Sequence, residues 1–124
     1  MQCNWVMSRD HRKLDVFHLA DDLVLKVYRA TLKFPPGERY GLQSQVRRAA
    51  VSIPTNIVEG CARAGEGDYL RFLDIAFGSA RELLYLIDLS MRLGFLEPKD
   101  ANELINLGDR TAGKLSNLRD SVGK

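Results

Sequence analysis

The residues of this chain that could do chemistry are few, and most are cationic. Lys26, Arg29, Lys33, Arg39, Arg47 and Arg48 stand in residues 26–48 against the single acid Glu38, a balance of +5. The rest of the chain holds 12 basic and 15 acidic residues, a balance of −3. A cationic segment attracts polyanions and can hold backbone phosphates without reading a base. The competing reading is a solvated helix face that only keeps the protein soluble. The sequence has no helix-turn-helix pattern, and the basic stretch reads as poor in exposed aromatics. Base-specific reading and stacking on bases are therefore not expected.

Other chemistries find little to build on. His11 and His18, the only histidines, are seven residues apart, too far along a helix to chelate as a close pair. His18 reads as a packed or rim histidine. A di-metal bundle needs Glu-x-x-His pairs on facing helices, and none occurs. Gly-rich phosphate loops and nucleophile elbows are absent too. Glu59 and Glu82 would form an acid–base pair only if the fold joined them, and capping or pairing with an arginine is the reading preferred. Cys3 and Cys61 fit neither a disulfide framework nor a zinc site, and Cys61 reads as a small buried thiol. No enzymatic activity, metal or cofactor is expected.

These residues must be positioned by a modest scaffold. A chain of 124 residues, 45% apolar and 27% charged, has the size and balance of one soluble globular domain. No apolar run reaches bilayer length, and MQCNWVMSRDHRK lacks the apolar block of a secretory signal, so a cytoplasmic address is expected. Residues 1–13 show no period and read as a loose or lightly docked arm. Residues 14–122 read as one bundle. A first helix starts near Asp15, whose carboxylate can cap it, and carries an apolar stripe of Val16, Phe17, Ala20, Leu23, Val24, Val27, Tyr28 and Leu32 until FPPGERYG ends it near Lys33. A second runs from about Leu42 to Ala64 on a narrow stripe of Leu42, Val46, Ala49, Ile53, Ile57 and Gly60, with Pro54 inside it. Proline there removes a backbone bond and crowds the carbonyl of Ala50, so the helix must kink or break, and a kink is expected because the apolar period resumes in phase. Ser52 is expected to bond nearby backbone groups. Asp68 reads as the N-cap of a third helix that Gly94 ends near Leu93, and Pro98 starts a fourth.

Short connections make an antiparallel up-down-up-down four-helix bundle the economical fold, all-α with no competing β pattern. The apolar stripes of the first and third helices are wider than a monomeric core needs, which implies a homo-oligomer.

One long motif is recognisable. Tyr40-Gly41-Leu42, then Gln45-x-x-Arg48-Ala49-Ala50-Val51-Ser52-Ile53-Pro54-x-Asn56-Ile57-x-Glu59-Gly60, then Phe72-Leu73-x-Ile75-Ala76-x-Gly78-Ser79-x-x-Glu82-Leu83, resembles the four-helix-bundle proteins named after 23S ribosomal RNA intervening sequences. The resemblance spans about residues 14–120 and implies a bundle assembled into a ring of five. The family name records where some of its genes lie and is no proof of rRNA binding. A more distant likeness is to an accessory protein of diversity-generating retroelements, a basic pentamer that binds nucleic acid and works with a reverse transcriptase. Leu84 stands where many members have a second glutamate, which weakens a role for an acidic cluster. Cys61-Ala62-Arg63 departs from the commoner Gly-Arg or Ser-Arg ending, and Arg63 keeps the charge.

Within the motif, Asn56 and Glu59 are read as bonding backbone freed by Pro54 or a neighbouring arginine, with the alternative that they line a site on the ring surface. Arg47 and Arg48 stay divided between subunit pairing and phosphate contact. The functional expectation is an oligomeric, non-enzymatic protein that binds structured RNA or DNA through a basic face. The alternative is a scaffold for protein–protein interaction.

Overall fold

A computed structural model describes residues 9–122. The order is a 3-10 turn at His11–Lys13, helix α1 (Asp15–Thr31), a 3-10 turn at Pro36–Glu38, then helices α2 (Leu42–Cys61), α3 (Glu66–Arg92) and α4 (Pro98–Ser121), with no strand among the described residues. Each helix packs on the next and α1 closes against α4, while no Cα atoms of the diagonal pairs come within 8 Å. The result is a four-helix bundle around one core, in which Leu23, Ile53, Leu73, Leu83, Ile87 and Leu115 are fully buried.

The boundaries follow local chemistry, with three departures from expectation. Asp15 is the first helical residue rather than the cap, and its carboxylate sits in the first turn, where it complements the helix dipole. Asp68 likewise lies inside the first turn of α3, which begins after Gly65. Helix α2 ends at Cys61 rather than Ala64. At the end of α3, Gly94 takes φ +84°, a left-handed conformation that favours glycine, and Phe95 N–H donates to the Ser90 carbonyl at 2.9 Å while Gly94 N–H donates to Met91. Phe95 then packs on Phe34 with ring centroids 5.7 Å apart, which ties the α3–α4 connection to the α1–α2 connection.

Pro54 lies inside α2 without interrupting it, so the chain does not break there. The turn before it is supported by side chains that follow it. Thr55 Oγ1 donates to the Val51 carbonyl at 2.7 Å and Asn56 Nδ2 to the Ser52 carbonyl at 2.7 Å. Helices α2 and α3 approach closely because Gly60 faces them together. A Cβ on Gly60 would stand 3.0 Å from Phe72 Cβ and 3.4 Å from the Tyr69 ring. The end of the expected loose arm is docked on this pair: Arg9 N–H donates to the Cys61 carbonyl at 2.9 Å, and its guanidinium lies 3.8 Å from the Tyr69 ring centroid. Residues 1–8, including Cys3 and Trp5, lie outside the described residues.

Candidate nucleic-acid interface

The basic segment does not form one face, because α1 divides it. Lys26, Arg29 and Lys33 line a hollow shared with α4, where Asp100 and Glu103 face them. Lys26 Nζ bridges Asp22 at 3.4 Å on its own helix and Glu103 at 3.5 Å on α4. Arg39, Arg47 and Arg48 line a second hollow, between α1, the Pro36–Glu38 turn and α2, together with Tyr28, Leu32 and Tyr40 and with no carboxylate. Glu38, the segment's acid, is turned away, for its Oε1 accepts the Leu42 N–H at 3.0 Å and so caps α2. Neither Arg39 nor Arg48 has an ion-pair partner among the described residues.

Arg47 has a different role from its neighbour. Its Nε donates to Thr31 Oγ1 at 2.8 Å and its Nη2 to the Tyr28 carbonyl at 3.2 Å, while its guanidinium lies 4.4 Å from the Tyr28 ring centroid. Gln43 Nε2 adds a bond to the Thr31 carbonyl at 2.8 Å. The last carbonyls of a helix have no partner within it, and a cation there also complements its dipole. Arg47 and Gln43 of α2 therefore cap α1 from across the bundle. Sequence reasoning left Arg47 and Arg48 undivided because adjacent helical residues project from different faces, and only the packed neighbour decides which face is interior. The segment also exposes more aromatic surface than expected: Tyr40 is 89% and Tyr28 41% accessible.

Much of the shared motif gathers at the α2–α3 groove. Gln45, Arg48, Ser52, Ser79 and Glu82 line one polar hollow, and Arg48, Ser52 and Asn56 border an adjoining one with Tyr28. Ser52 and Ser79 join the two helices through their hydroxyls at 2.8 Å, and Asn56 Nδ2 also reaches Ser52 Oγ at 3.0 Å. Ser52 therefore bonds across the helix interface, and Asn56 bonds the backbone. Glu59 does not join this group, since it pairs with Arg63 one turn on at 3.2 Å. Glu82 lines the polar hollow with Gln45 and Arg48, whereas Glu59 is engaged with Arg63. Gly78 is exposed on α3, and a Cβ there would meet nothing within 4 Å.

The remaining titratable groups are structural in their surroundings. His18 Nε2 lies 2.8 Å from the Arg12 carbonyl, and the His11 ring packs edge-on against Phe17 at 4.7 Å. Burial pushes the Cys61 thiol upward in pKa, which keeps it protonated and unreactive. Burial likewise raises Tyr69. The Arg12 side chain, hydrogen-bonded to Asp10, lowers that carboxyl. No group of three or more His, Cys, Asp or Glu side chains suited to a metal occurs among the described residues, and no helix is long and apolar enough to cross a membrane.

Comparison with known proteins extends this picture. No curated protein matches the chain. A crystal structure from Bacteroides thetaiotaomicron, of a protein with unknown function from the S23 ribosomal protein family, superposes with a TM-score of 0.80 over 86% of this chain and 99% of that chain. At 18% identity, that likeness speaks for the fold alone. The model of the 23S rRNA-intervening sequence protein family matches residues 12–117, taking in α1, α2, α3 and most of α4. With that match running unbroken through the α2–α3 motif, the chain belongs to the 23S rRNA-intervening sequence protein family.

Proposed function

We propose that this protein is a non-enzymatic homo-oligomer that binds RNA or DNA through phosphate contacts made on the α2 side of α1. The observation that carries the reading is the hollow lined by Arg39, Arg47 and Arg48 without a carboxylate, in which Arg39 and Arg48 are exposed and free of ion pairs among the described residues. Unpaired surface arginines beside one another present a field to a polyanion and fork-shaped donors to its phosphates. Arg29 and Lys33 lie on the α4 side of α1 beside Asp100 and Glu103, and Lys26 contributes least because it is already paired.

Assembly has its own support. Ile75, Gly78, Glu82 and Tyr85 recur at helical spacing along the outer side of α3, with Ile75 41% and Tyr85 58% accessible. An exposed mid-helix glycine costs about 1 kcal/mol relative to alanine and here has no neighbour to make room for, which suits close approach by a second copy. Five copies is the number implied by the family resemblance. Within each copy, Ser52–Ser79 and Gly60–Phe72 contacts run in opposite chain directions, as do Leu84–Gly108 and Asp74–Arg119, which supports the antiparallel up-down-up-down reading. A kink at Pro54 remains the expectation from proline's missing donor. Pro54→Ala would then lower stability despite better helix propensity, and an unchanged denaturation midpoint would count against it.

The deciding experiment titrates structured RNA and duplex DNA at several salt concentrations with wild type and an Arg39→Ala, Arg48→Ala double variant of unchanged oligomeric mass. Steep salt dependence that becomes shallower in the variant is expected. Absence of binding at low salt would transfer the arginines to a protein partner and favour the scaffold reading.

A further inference from the structure

Resting on the phosphate reading above, we propose that the hollow between α1, the Pro36–Glu38 turn and α2 takes an unpaired strand, with bases stacked on Tyr40 and Tyr28 and phosphates held by Arg39 and Arg48. Tyr40 is 89% accessible and Tyr28 41%, and both line the hollow. An aromatic ring almost wholly in solvent contributes little to a core, so Tyr40 calls for another reason to stand there. Each ring already carries a guanidinium, Arg47 at 4.4 Å from the Tyr28 centroid and Arg39 at 5.7 Å from that of Tyr40. Each guanidinium lies over one face of its ring, so a base stacks on the ring's other face or on the outer face of the planar cation, while neighbouring arginines track the backbone.

The platform is held in place before a ligand arrives. Arg47 is held by its bonds to Thr31 Oγ1 and the Tyr28 carbonyl. The rim before Tyr40 is stiffened by Pro35 and Pro36, with Pro35 extended at φ −58° and ψ 144°. Glu38 is bonded to the N-terminus of α2, and no carboxylate lines this hollow. Bases paired within a duplex are stacked on one another and cannot lie on these rings, so the site selects unpaired over paired nucleic acid.

The test is fluorescence anisotropy with labelled oligouridylate and oligothymidylate of about 12 nucleotides and a duplex of equal length, at several salt concentrations. Wild type, Tyr40→Ala and Tyr40→Phe are compared, each with its mass measured by light scattering. Single strands are expected to bind several-fold more tightly than duplex. Tyr40→Ala should lose roughly 5- to 150-fold on single strands, the range for one stacked base, with the salt slope unchanged, and Tyr40→Phe should retain binding. The oligouridylate and oligothymidylate arms tell RNA from DNA. Salt-dependent binding that ignores strandedness and the Tyr40→Ala change would overturn stacking and leave phosphate contact standing. No binding of any probe at low salt would end both readings. A changed oligomeric mass in Tyr40→Ala would give the hollow to a second copy of the chain, and polyglutamate bound as tightly as the oligonucleotides would give it to an acidic protein; either result overturns the proposal.

Discussion

The hollows on the two sides of α1 hold three basic residues each and differ in electrostatic character, one with two acids among its lining and the other with none. Toward α4, Lys26, Arg29 and Lys33 share their hollow with Asp100 and Glu103, and Lys26 is held between two carboxylates. Toward α2, Arg39, Arg47 and Arg48 share theirs with tyrosines and no acid. The difference teaches that a surplus of charge along a segment is not yet a field. Acids brought from another helix cancel one half of it, and the half left without them is the one able to meet a polyanion.

The strongest way to break this comparison is to delete the unopposed half. Arg39→Ala with Arg48→Ala should remove two phosphate contacts, lowering affinity roughly tenfold or more for each and reducing the salt slope by about 2. A matching Arg29→Ala, Lys33→Ala variant should lose less, and equal losses would dissolve the distinction. Next in size is Arg47, whose role is to hold α1 rather than a ligand. Arg47→Ala should destabilise the fold by about 0.5–1.5 kcal/mol through the lost bonds to Thr31 Oγ1 and the Tyr28 carbonyl, which keeps the Thr31 hydroxyl as a donor, read as a shifted midpoint in chemical denaturation. A midpoint equal to wild type would return Arg47 to the surface set.

Smaller effects sharpen the opposed half. Glu103→Gln releases Lys26 from its α4 partner, and the expected result is a modest gain in affinity for duplex DNA with a salt slope steeper by less than about 1. The smallest change is Lys26→Met. Its ion pairs are solvent-exposed, so stability should move by no more than about 1 kcal/mol. A larger loss in thermal denaturation would mean that the α1–α4 pair holds the bundle together.

The helices were legible because their signals are local. Apolar residues at steps of three and four, FPPGERYG, Gly94 and Pro98 mark where helices run and stop, and the observed helices follow these marks to within a few residues. The caps at Asp15 and Asp68 were misplaced by one and three residues, since an acid in a first turn and an acid at a cap look alike in sequence. The motif's grouping was only half legible. Ser52 and Ser79 lie 27 residues apart and meet only through packing, while Glu59 follows its own helix to Arg63.

What the sequence determined by itself was therefore the helical class, the positions of the breaks, and the stock of cations available to a partner. Periodicity and backbone restriction act within a few residues and need no knowledge of the rest of the chain. The tertiary structure alone decided which cations remain available. Arg47 and Arg48 are adjacent in the chain, yet the 100° between successive helical residues turns one toward the end of α1 and leaves the other in solvent. Asp100 and Glu103 lie far from Lys26 in sequence and partly neutralise its side of α1 only because α4 closes the bundle there. Charge acts through space, so its balance is settled by which helices become neighbours.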